Sequence, residues 1–188
     1  MLREFLEGFK ILGDSDIADF EKLVTKKYVK KGGFFIQNGA VCKSIAFVMS
    51  GIFRTYFISD KWEEVTYCLT FPNNFLTAYS SYLTGNSTQE NIQALQDAEL
   101  YTISKEEMEN LANNNVTWLI FLKFMAEQQY MELENRIFQL QKKNALSKYK
   151  NLIENYPQLV QQIPLQYLAS YLGITQRHLT RIRKEITY

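Results

Sequence analysis

The strongest constraint on the fold lies in residues 165–185, where small and apolar side chains recur at fixed spacing. Ala169 is small enough to let two helices cross closely, and Gly173 suits the left-handed residue that ends a helix. Thr175 can then cap a second helix. The remaining constrained positions would form a core shared by both helices: Leu168, Leu172, Ile174, Leu179 and Ile182. The pattern therefore predicts a helix-turn-helix.

The surface of the predicted second helix carries polar and basic side chains, with no carboxylate before Glu185. Arg and Gln can form paired hydrogen bonds with base edges in the major groove, and Thr, Lys and His suit phosphates. A helix pair with a purely structural role would be expected to expose more carboxylates. The sequence therefore predicts binding to double-stranded DNA through Thr175, Gln176, Arg177, His178, Thr180, Arg181 and Lys184.

Charge is divided unevenly along the chain. The formal net charge is +1, yet residues 142–188 hold eight Lys and Arg against two Asp and Glu, so that residues 1–141 are acidic. A basic segment attached to an acidic body favours a polyanionic partner for that segment. Charge alone is equally compatible with a solvated basic face.

Residues 29–103 change from helical to alternating periodicity, most clearly over residues 65–71. Turn-forming pairs separate the alternating runs: Gly32-Gly33, Asn38-Gly39, Ser59-Asp60 and Gly85-Asn86. Short strands between such turns predict an antiparallel sandwich or barrel of about eight strands. Residues 15–27, which precede this region, are predicted to form a short helix capped by Asp14 or Ser15.

A long helical segment follows the strands. Ser104 and Glu107 have the spacing of a capping box, and a 3–4 apolar spacing then runs from Val116 to about Lys143. Roughly 28 residues of helix span about 42 Å, more than a domain of this size needs internally. We therefore expect a dimer interface rather than packing on the chain's own sheet alone. The predicted interface residues are Leu119, Leu122, Ala126, Gln129, Leu133 and Leu140.

Several classes of protein are disfavoured by what the sequence contains. Cys42 and Cys68 are far apart and lack a CxxC spacing, and the single histidine, His178, has no visible partner. We therefore expect neither a metal site nor an enzyme. Residues 1–10 lack the features of a signal peptide and no long apolar run is present, so we expect a cytoplasmic protein without membrane contact.

The order of a strand-rich domain, a long helix and a helix-turn-helix resembles the Crp/Fnr family of bacterial transcription regulators. The resemblance covers nearly the full chain and is carried by Lys31-Gly32, Gly39, residues 47–51 with Arg54, and residues 91–94, 169–174 and 179–182. It implies gene regulation by a homodimer joined through the long helix. By family position, the base-reading residues would be Gln176, Arg177 and Arg181.

The resemblance also implies an α+β architecture in three parts. Residues 1–115 would form an antiparallel β-roll of the cyclic-nucleotide-binding, jelly-roll type that acts as a sensor domain. Residues 116–143 would form the central dimerisation helix, and residues 144–188 an all-α helix-turn-helix domain. Family members often continue into a β wing, whereas this sequence ends at Tyr188. We therefore expect no long wing.

Cyclic AMP is disfavoured as the effector, and no cofactor is predicted. Family members that bind it use a Gly-Glu pair for the ribose and an Arg-Ser pair for the phosphate. Thr77-Ala78 and Thr88-Gln89 occupy these positions here, and no Arg or Lys lies between Trp62 and Ile103. A buried phosphate without a cation would lose several kcal/mol. The pair that would contact adenine falls at Leu133-Glu134, which is equally unsuitable.

Other effectors of the family fit no better, since two cysteines cannot hold a four-cysteine cluster and His178 lies in the recognition helix. The expected pocket either binds an uncharged or aromatic molecule or is filled by its own side chains, and we favour the second. Its candidate residues are Tyr67, Phe75, Tyr79, Tyr82, Thr88 and Gln89.

Two hypotheses about function follow. The favoured one is a dimeric, sequence-specific transcription regulator, for which RNA polymerase would be a further candidate partner. The other is a small-ligand or cyclic-nucleotide binding module whose helix-turn-helix mediates protein contacts. Duplex binding that collapses as salt rises would distinguish the first from the second.

Overall fold

The computed structural model describes residues 2–142 and 144–186, apart from the side chains of residues 139–142 and 159. Its strands are β1 Thr25–Val29, β2 Phe34–Ile36, β3 Ser44–Ser50, β4 Phe53–Ile58, β5 Glu64–Thr70, β6 Phe75–Leu76, β7 Asn91–Ala94 and β8 Ala98–Ser104. Its helices are α1 Leu2–Gly8, α2 Asp14–Leu23, α3 Tyr79–Thr84, α4 Lys105–Asn114, α5 Val116–Lys142, α6 Ala145–Asn155, α7 Pro157–Val160, α8 Leu165–Leu172 and α9 Gln176–Ile186.

The strands form two four-stranded antiparallel sheets that face each other. One sheet has the order β1-β8-β3-β6 and the other β2-β7-β4-β5. Alternate side chains of both sheets meet in a common core, which includes Val48, Phe53, Ile92 and Leu100, none of them measurably exposed. The predicted α+β class and the antiparallel β-roll are therefore confirmed.

The amino-terminal segment differs from the prediction. The helix α2 ends at Leu23, four residues before the predicted end, because Thr25–Val29 pair with β8 as strand β1. The hydrogen bonds of Thr25–Val29 with β8 therefore end the helix that the apolar spacing of the preceding residues predicted to continue. Helix α1 was not predicted; Leu2 and Leu6 bury it against a core that also holds Trp118 of α5.

The predicted capping box is present at the start of α4. The Ser104 hydroxyl accepts a hydrogen bond from the Glu107 amide (3.1 Å), and the Glu107 carboxylate accepts one from the Ser104 amide (3.1 Å). Helix α5 begins at Val116 as predicted, and its first turns bury Trp118 and Phe121 against α1 and α2. The long helix is therefore anchored to the β-roll at its amino-terminal end.

The carboxyl-terminal helices pack directly on the β-roll. Leu168, Leu172, Leu179 and Ile182 share one buried cluster with four residues of the strand region: Ile52, Leu69, Phe71 and Leu95. The sequence did not predict this contact. The proposed domain boundaries stay a prediction, and residues 143, 187 and 188 lie outside the part of the chain that is described.

Gly51, between β3 and β4, supports a stability prediction. Its φ is +89°, and a Cβ there would lie 2.6 Å from the Ala98 Cβ. Gly51→Ala should lower the free energy of unfolding by about 2–5 kcal/mol, from the left-handed backbone and the overpacking together. Gly85→Ala is the matched control, with a φ of +75° and nothing within 4 Å. Denaturant unfolding showing equal losses for both variants would contradict the steric argument.

Candidate nucleic-acid interface

Helices α8 and α9 form the predicted helix-turn-helix, and local hydrogen bonds define its turn. Gly173 has a φ of +71° and its amide donates to the carbonyl of Ser170 (3.0 Å), while the Ile174 amide donates to the carbonyl of Ala169 (3.0 Å). The Thr175 hydroxyl accepts a hydrogen bond from the His178 amide (3.2 Å) and so caps α9. The turn thus has the chemistry that its sequence predicted.

The two helices bury one face against each other and leave the opposite face of α9 open. Leu168, Ala169, Leu172, Leu179 and Ile182 are all at most 2% exposed. Six of the seven predicted DNA-binding residues are exposed, namely Thr175, Gln176, Arg177, Thr180, Arg181 and Lys184, and His178 is half-buried. Because the buried positions fix the rotation of α9, its polar stripe points away from the protein.

The exposed face of α9 is predominantly cationic and weakly paired within the helix. Arg181 Nε lies 3.9 Å from the Glu185 carboxylate, and both side chains are more than half exposed. An ion pair of this kind contributes at most about 1 kcal/mol, so Arg181 can exchange it for another acceptor. The Thr180 hydroxyl donates to the Gln176 carbonyl (2.9 Å), which leaves its oxygen free to accept.

A row of side chains, apolar except for one lysine, runs along α5 and is largely uncovered. We call it the α5 seam: Val116, Leu119, Lys123, Ala126, Tyr130, Leu133 and Ile137. Its members recur every three or four residues, and its five large apolar side chains are 50–67% exposed. This spacing is that of the a and d positions of a coiled coil. The seam is therefore the part of α5 suited to pairing with another helix.

The structure distributes the predicted dimer residues over several environments. Leu119, Ala126 and Leu133 lie on the α5 seam, whereas Leu122 packs against the core that α5 shares with α1 and α2. Gln129 is exposed but lies outside the seam, and the side chain of Leu140 lies outside the described residues. Tyr130 and Ile137 lie on the seam although the sequence did not single them out, because a helix with two apolar faces presents two patterns that one sequence spacing does not separate.

The predicted effector residues are not brought together. Phe75 packs among the aromatic rings of Phe5, Phe47 and Phe121, while Tyr82 lies in the β-roll core. The remaining candidates are scattered: Tyr67 donates to Glu90 (2.6 Å), Thr88 is buried, and Tyr79 and Gln89 are exposed. Two open depressions, one lined by residues between 35 and 44 and the other by residues between 123 and 131, contain none of the six.

The segment that would hold a cyclic phosphate is closed by its own hydrogen bonds. The buried Ser81 hydroxyl accepts from the Cys42 amide (2.9 Å) and donates to the Asn86 carbonyl (2.5 Å). Lys105 reaches this segment from α4 but donates to the carbonyls of Tyr82 (2.6 Å) and Leu83 (3.2 Å). The Ser81 hydroxyl and the Lys105 ammonium thus already have partners within the chain, and the segment itself contains no cationic side chain, so the residues present do not fit a cyclic nucleotide phosphate.

A thermal-shift titration can test this conclusion. A ligand at 100 times its Kd stabilises a folded protein by about 2.7 kcal/mol, which raises Tm by several degrees. We expect cyclic AMP to leave Tm unchanged at millimolar concentration, with AMP as the matched control for weak anion effects. A saturable rise in Tm that cyclic AMP produces and AMP does not would contradict the expectation.

Other kinds of site find no support in the described residues. Within residues 2–142 and 144–186, no group of three or more His, Cys, Asp and Glu side chains is placed to hold a metal ion. None of the helices described there combines the length and apolar character needed to cross a membrane. The candidate functional surfaces are therefore the exposed face of α9 and the α5 seam.

Comparisons with known proteins agree with this architecture. The family model of the cyclic nucleotide-binding domain matches residues 26–115. FixK2 from Bradyrhizobium japonicum superposes with a TM-score of 0.76 at 15% identity, covering 87% of this chain and 84% of that one. No curated protein sequence is a significant match.

Two further solved structures extend the similarity to nearly the whole chain. A protein described as a Crp/Fnr-family transcriptional regulator from Eubacterium rectale has a TM-score of 0.70 at 19% identity, covering 95% of this chain and 85% of that one. The catabolite activator protein of Thermus thermophilus has a TM-score of 0.60 at 16% identity, covering 94% and 84%. Residues 26–115 thus match the model of the cyclic nucleotide-binding domain family, and the chain has the fold of the Crp/Fnr transcriptional regulators over most of its length.

Proposed function

We propose that this protein is a sequence-specific DNA-binding transcription regulator that acts as a homodimer. The observation that carries the proposal is the exposed face of α9, where Gln176, Arg177 and Arg181 stand on a helix whose rotation is fixed by buried Leu179 and Ile182. Arg and Gln on a rigid helix can form paired hydrogen bonds with base edges. Thr175, Thr180 and Lys184 flank them and suit phosphate contacts.

The α5 seam supports the homodimer. Apolar side chains that are at least half exposed along about six helical turns would be buried by the same seam of a second copy. Lys123 interrupts the seam at one position and pairs with Glu127 (3.5 Å), which a coiled-coil partner can accommodate at its edge. A two-fold pair of protomers would present two copies of α9 to one duplex.

We propose that the β-roll does not bind cyclic AMP at the site that family members use for it. No Arg or Lys lies in residues 75–89, Lys105 donates instead to the carbonyls of Tyr82 and Leu83, and Tyr82 is buried in the β-roll core. Such a regulator would act in the cytoplasm, where it can reach DNA. Selectivity for another effector would have to come from residues outside the six aromatic and polar candidates.

Selection from random duplex DNA tests the proposed function. We expect an enriched, near-palindromic motif whose half-site centres lie about 10 base pairs apart. Affinity for it should fall by about 10³–10⁵ between 50 and 200 mM salt if the dimer makes six to ten phosphate contacts. Failure to enrich any motif would overturn the proposal. Absence of duplex binding at low salt, together with tight binding of a small ligand, would favour the binding-module hypothesis.

A further inference from the structure

Helix α8 is held against the rest of the chain by two arginine–tyrosine stacks. Tyr167 and Tyr171 lie one turn apart on α8 and so share a face. The guanidinium of Arg54, from β4, lies 3.6 Å from the centre of the Tyr167 ring, and that of Arg136, from α5, lies 3.9 Å from the centre of the Tyr171 ring. The β-roll and the long helix thus each contribute one arginine to the same helix.

The Arg54 stack is prearranged by the β-roll. Arg54 is 1% exposed, and its Nε and Nη2 donate to the Gln93 side-chain oxygen at 3.0 and 2.7 Å. Its Nη1 lies 2.7 Å from the Glu64 carboxylate, and the Tyr56 ring covers one face at 3.9 Å. These partners all belong to the β-roll. They leave one face of a fixed, buried cation for Tyr167 to cover.

The edge of the sheet adds a polar contact beside this stack. Strand β5 is the last strand of its sheet, so its outer backbone groups need partners. The Ser170 hydroxyl of α8 accepts from the Thr66 amide (2.9 Å) and donates to the Glu64 carbonyl (3.3 Å). A single side chain of α8 therefore takes the place of a neighbouring strand at this point.

The Arg136 stack joins α8 to the helix that carries the seam. Arg136 Nη2 donates to the Tyr171 carbonyl, in the last turn of α8, where a cation also interacts favourably with the helix dipole. Burial raises the pKa of the Tyr171 phenol, which is consistent with a ring enclosed between α8 and α5. The stack couples the direction of α8 to the direction of α5.

We propose that Arg54 and Arg136 are positioning residues that fix the orientation of the recognition helix through Tyr167 and Tyr171. This inference rests on the proposed DNA-binding function. Because α8 and α9 share one buried core, a rigidly held α8 fixes the direction of α9 relative to α5. In a dimer, the two stacks then determine the distance and angle between the two copies of α9, and hence the half-site spacing that is accepted.

The test compares Tyr167→Leu, which removes the stacked ring, with Tyr167→Phe, which keeps it. Arg136→Gln and Arg136→Lys form a second pair that leaves the β-roll untouched. Each variant is titrated with the selected palindrome at its optimal spacing, with palindromes one and two base pairs longer or shorter, and with a single half-site. Circular dichroism and unfolding confirm that each variant is folded.

We expect Tyr167→Leu to bind the optimal palindrome roughly tenfold more weakly, as loss of one buried cation–π contact would produce, while single half-site binding is unchanged. It should also discriminate less between spacings, whereas Tyr167→Phe behaves as the parent protein. Arg136→Gln should show the same loss of affinity and of spacing discrimination. Arg136→Lys keeps the charge but not the planar stack, so its loss should be intermediate. Retention of the parent spacing preference by both Tyr167→Leu and Arg136→Gln would overturn the proposal.

Hydrogen exchange without DNA separates this proposal from the proposed function. Release of α8 removes the partner of the Thr66 amide, so we expect faster exchange in peptides that cover β5 and α8 of Tyr167→Leu, with β3 and β8 unchanged. If the parent protein binds no duplex, this measurement still decides whether the stacks hold α8. Unchanged exchange at β5 and α8 in both Tyr167→Leu and Arg136→Gln would show that they do not.

Discussion

Arg181→Ala is expected to weaken binding to the selected palindrome by about 1–3 kcal/mol per half-site, or roughly 5- to 150-fold for each copy of α9. Arg181 is exposed in the middle of α9, and its Glu185 contact at 3.9 Å is too weak to hold it away from a base edge. The variant should also accept more sequences at the base pair that Arg181 contacts. Competition binding against single-position variants of the palindrome measures both effects.

Lys184→Ala is the matched control on the same helix. Lys184 is exposed near the end of α9, where a phosphate contact is expected. Loss of Lys184 should weaken binding by the same factor for all sequences. It should also reduce the slope of the logarithm of the binding constant against the logarithm of the salt concentration by about one per half-site. Neither substitution removes a buried contact, so unfolding curves should coincide with that of the parent protein. A uniform, sequence-independent loss for Arg181→Ala would contradict its role in recognising bases.

Leu133→Glu should convert the protein to a monomer at micromolar concentration. Leu133 lies in the α5 seam and is 50% exposed in the single chain, so a paired seam would bring two introduced carboxylates together in an apolar interface. Burying unpaired charges of this kind costs several kcal/mol, whereas the folded monomer tolerates a carboxylate at an exposed helical site. Sedimentation equilibrium measures the change in mass.

Met131→Glu is the matched control for the seam. Met131 is on the same helix and 44% exposed, but it lies outside the α5 seam. Met131→Glu should leave the dimer and its affinity for the palindrome intact. Leu133→Glu should lose affinity for the palindrome and keep the weaker affinity for a single half-site. A dimer that survives Leu133→Glu, or one that dissociates equally with Met131→Glu, would show that the interface lies elsewhere.

The helix-turn-helix is the part of the protein that sequence reasoning predicted most completely. Its constraints are local: Gly173 ends one helix, Thr175 caps the next, and apolar residues three or four apart meet across the turn. Such relations extend over one or two helical turns, so they can be deduced without knowing the rest of the fold. The Ser104 capping box and the start of α5 at Val116 were predicted for the same reason.

Features that depend on distant parts of the chain were not predicted. Residues 25–27 were predicted to continue helix α2 but pair with β8 across more than 70 residues. Leu122 faces α1 and α2, although its spacing is also that of a dimer seam. The sequence grouped the candidate effector residues by alignment, whereas the fold places Phe75 and Tyr82 in different cores, so their role as an effector pocket stays a prediction.

The sequence by itself determined that residues 165–185 form a helix-turn-helix, that strands precede it, and that a long helix connects them. Only the tertiary structure decided how helix α8 is held against the rest of the chain, with Arg54 stacked on Tyr167 and Arg136 stacked on Tyr171. The physical reason is the range of the interactions. Caps, turns and periodicity act between near neighbours, whereas a buried guanidinium finds its second aromatic face on a helix more than a hundred residues away.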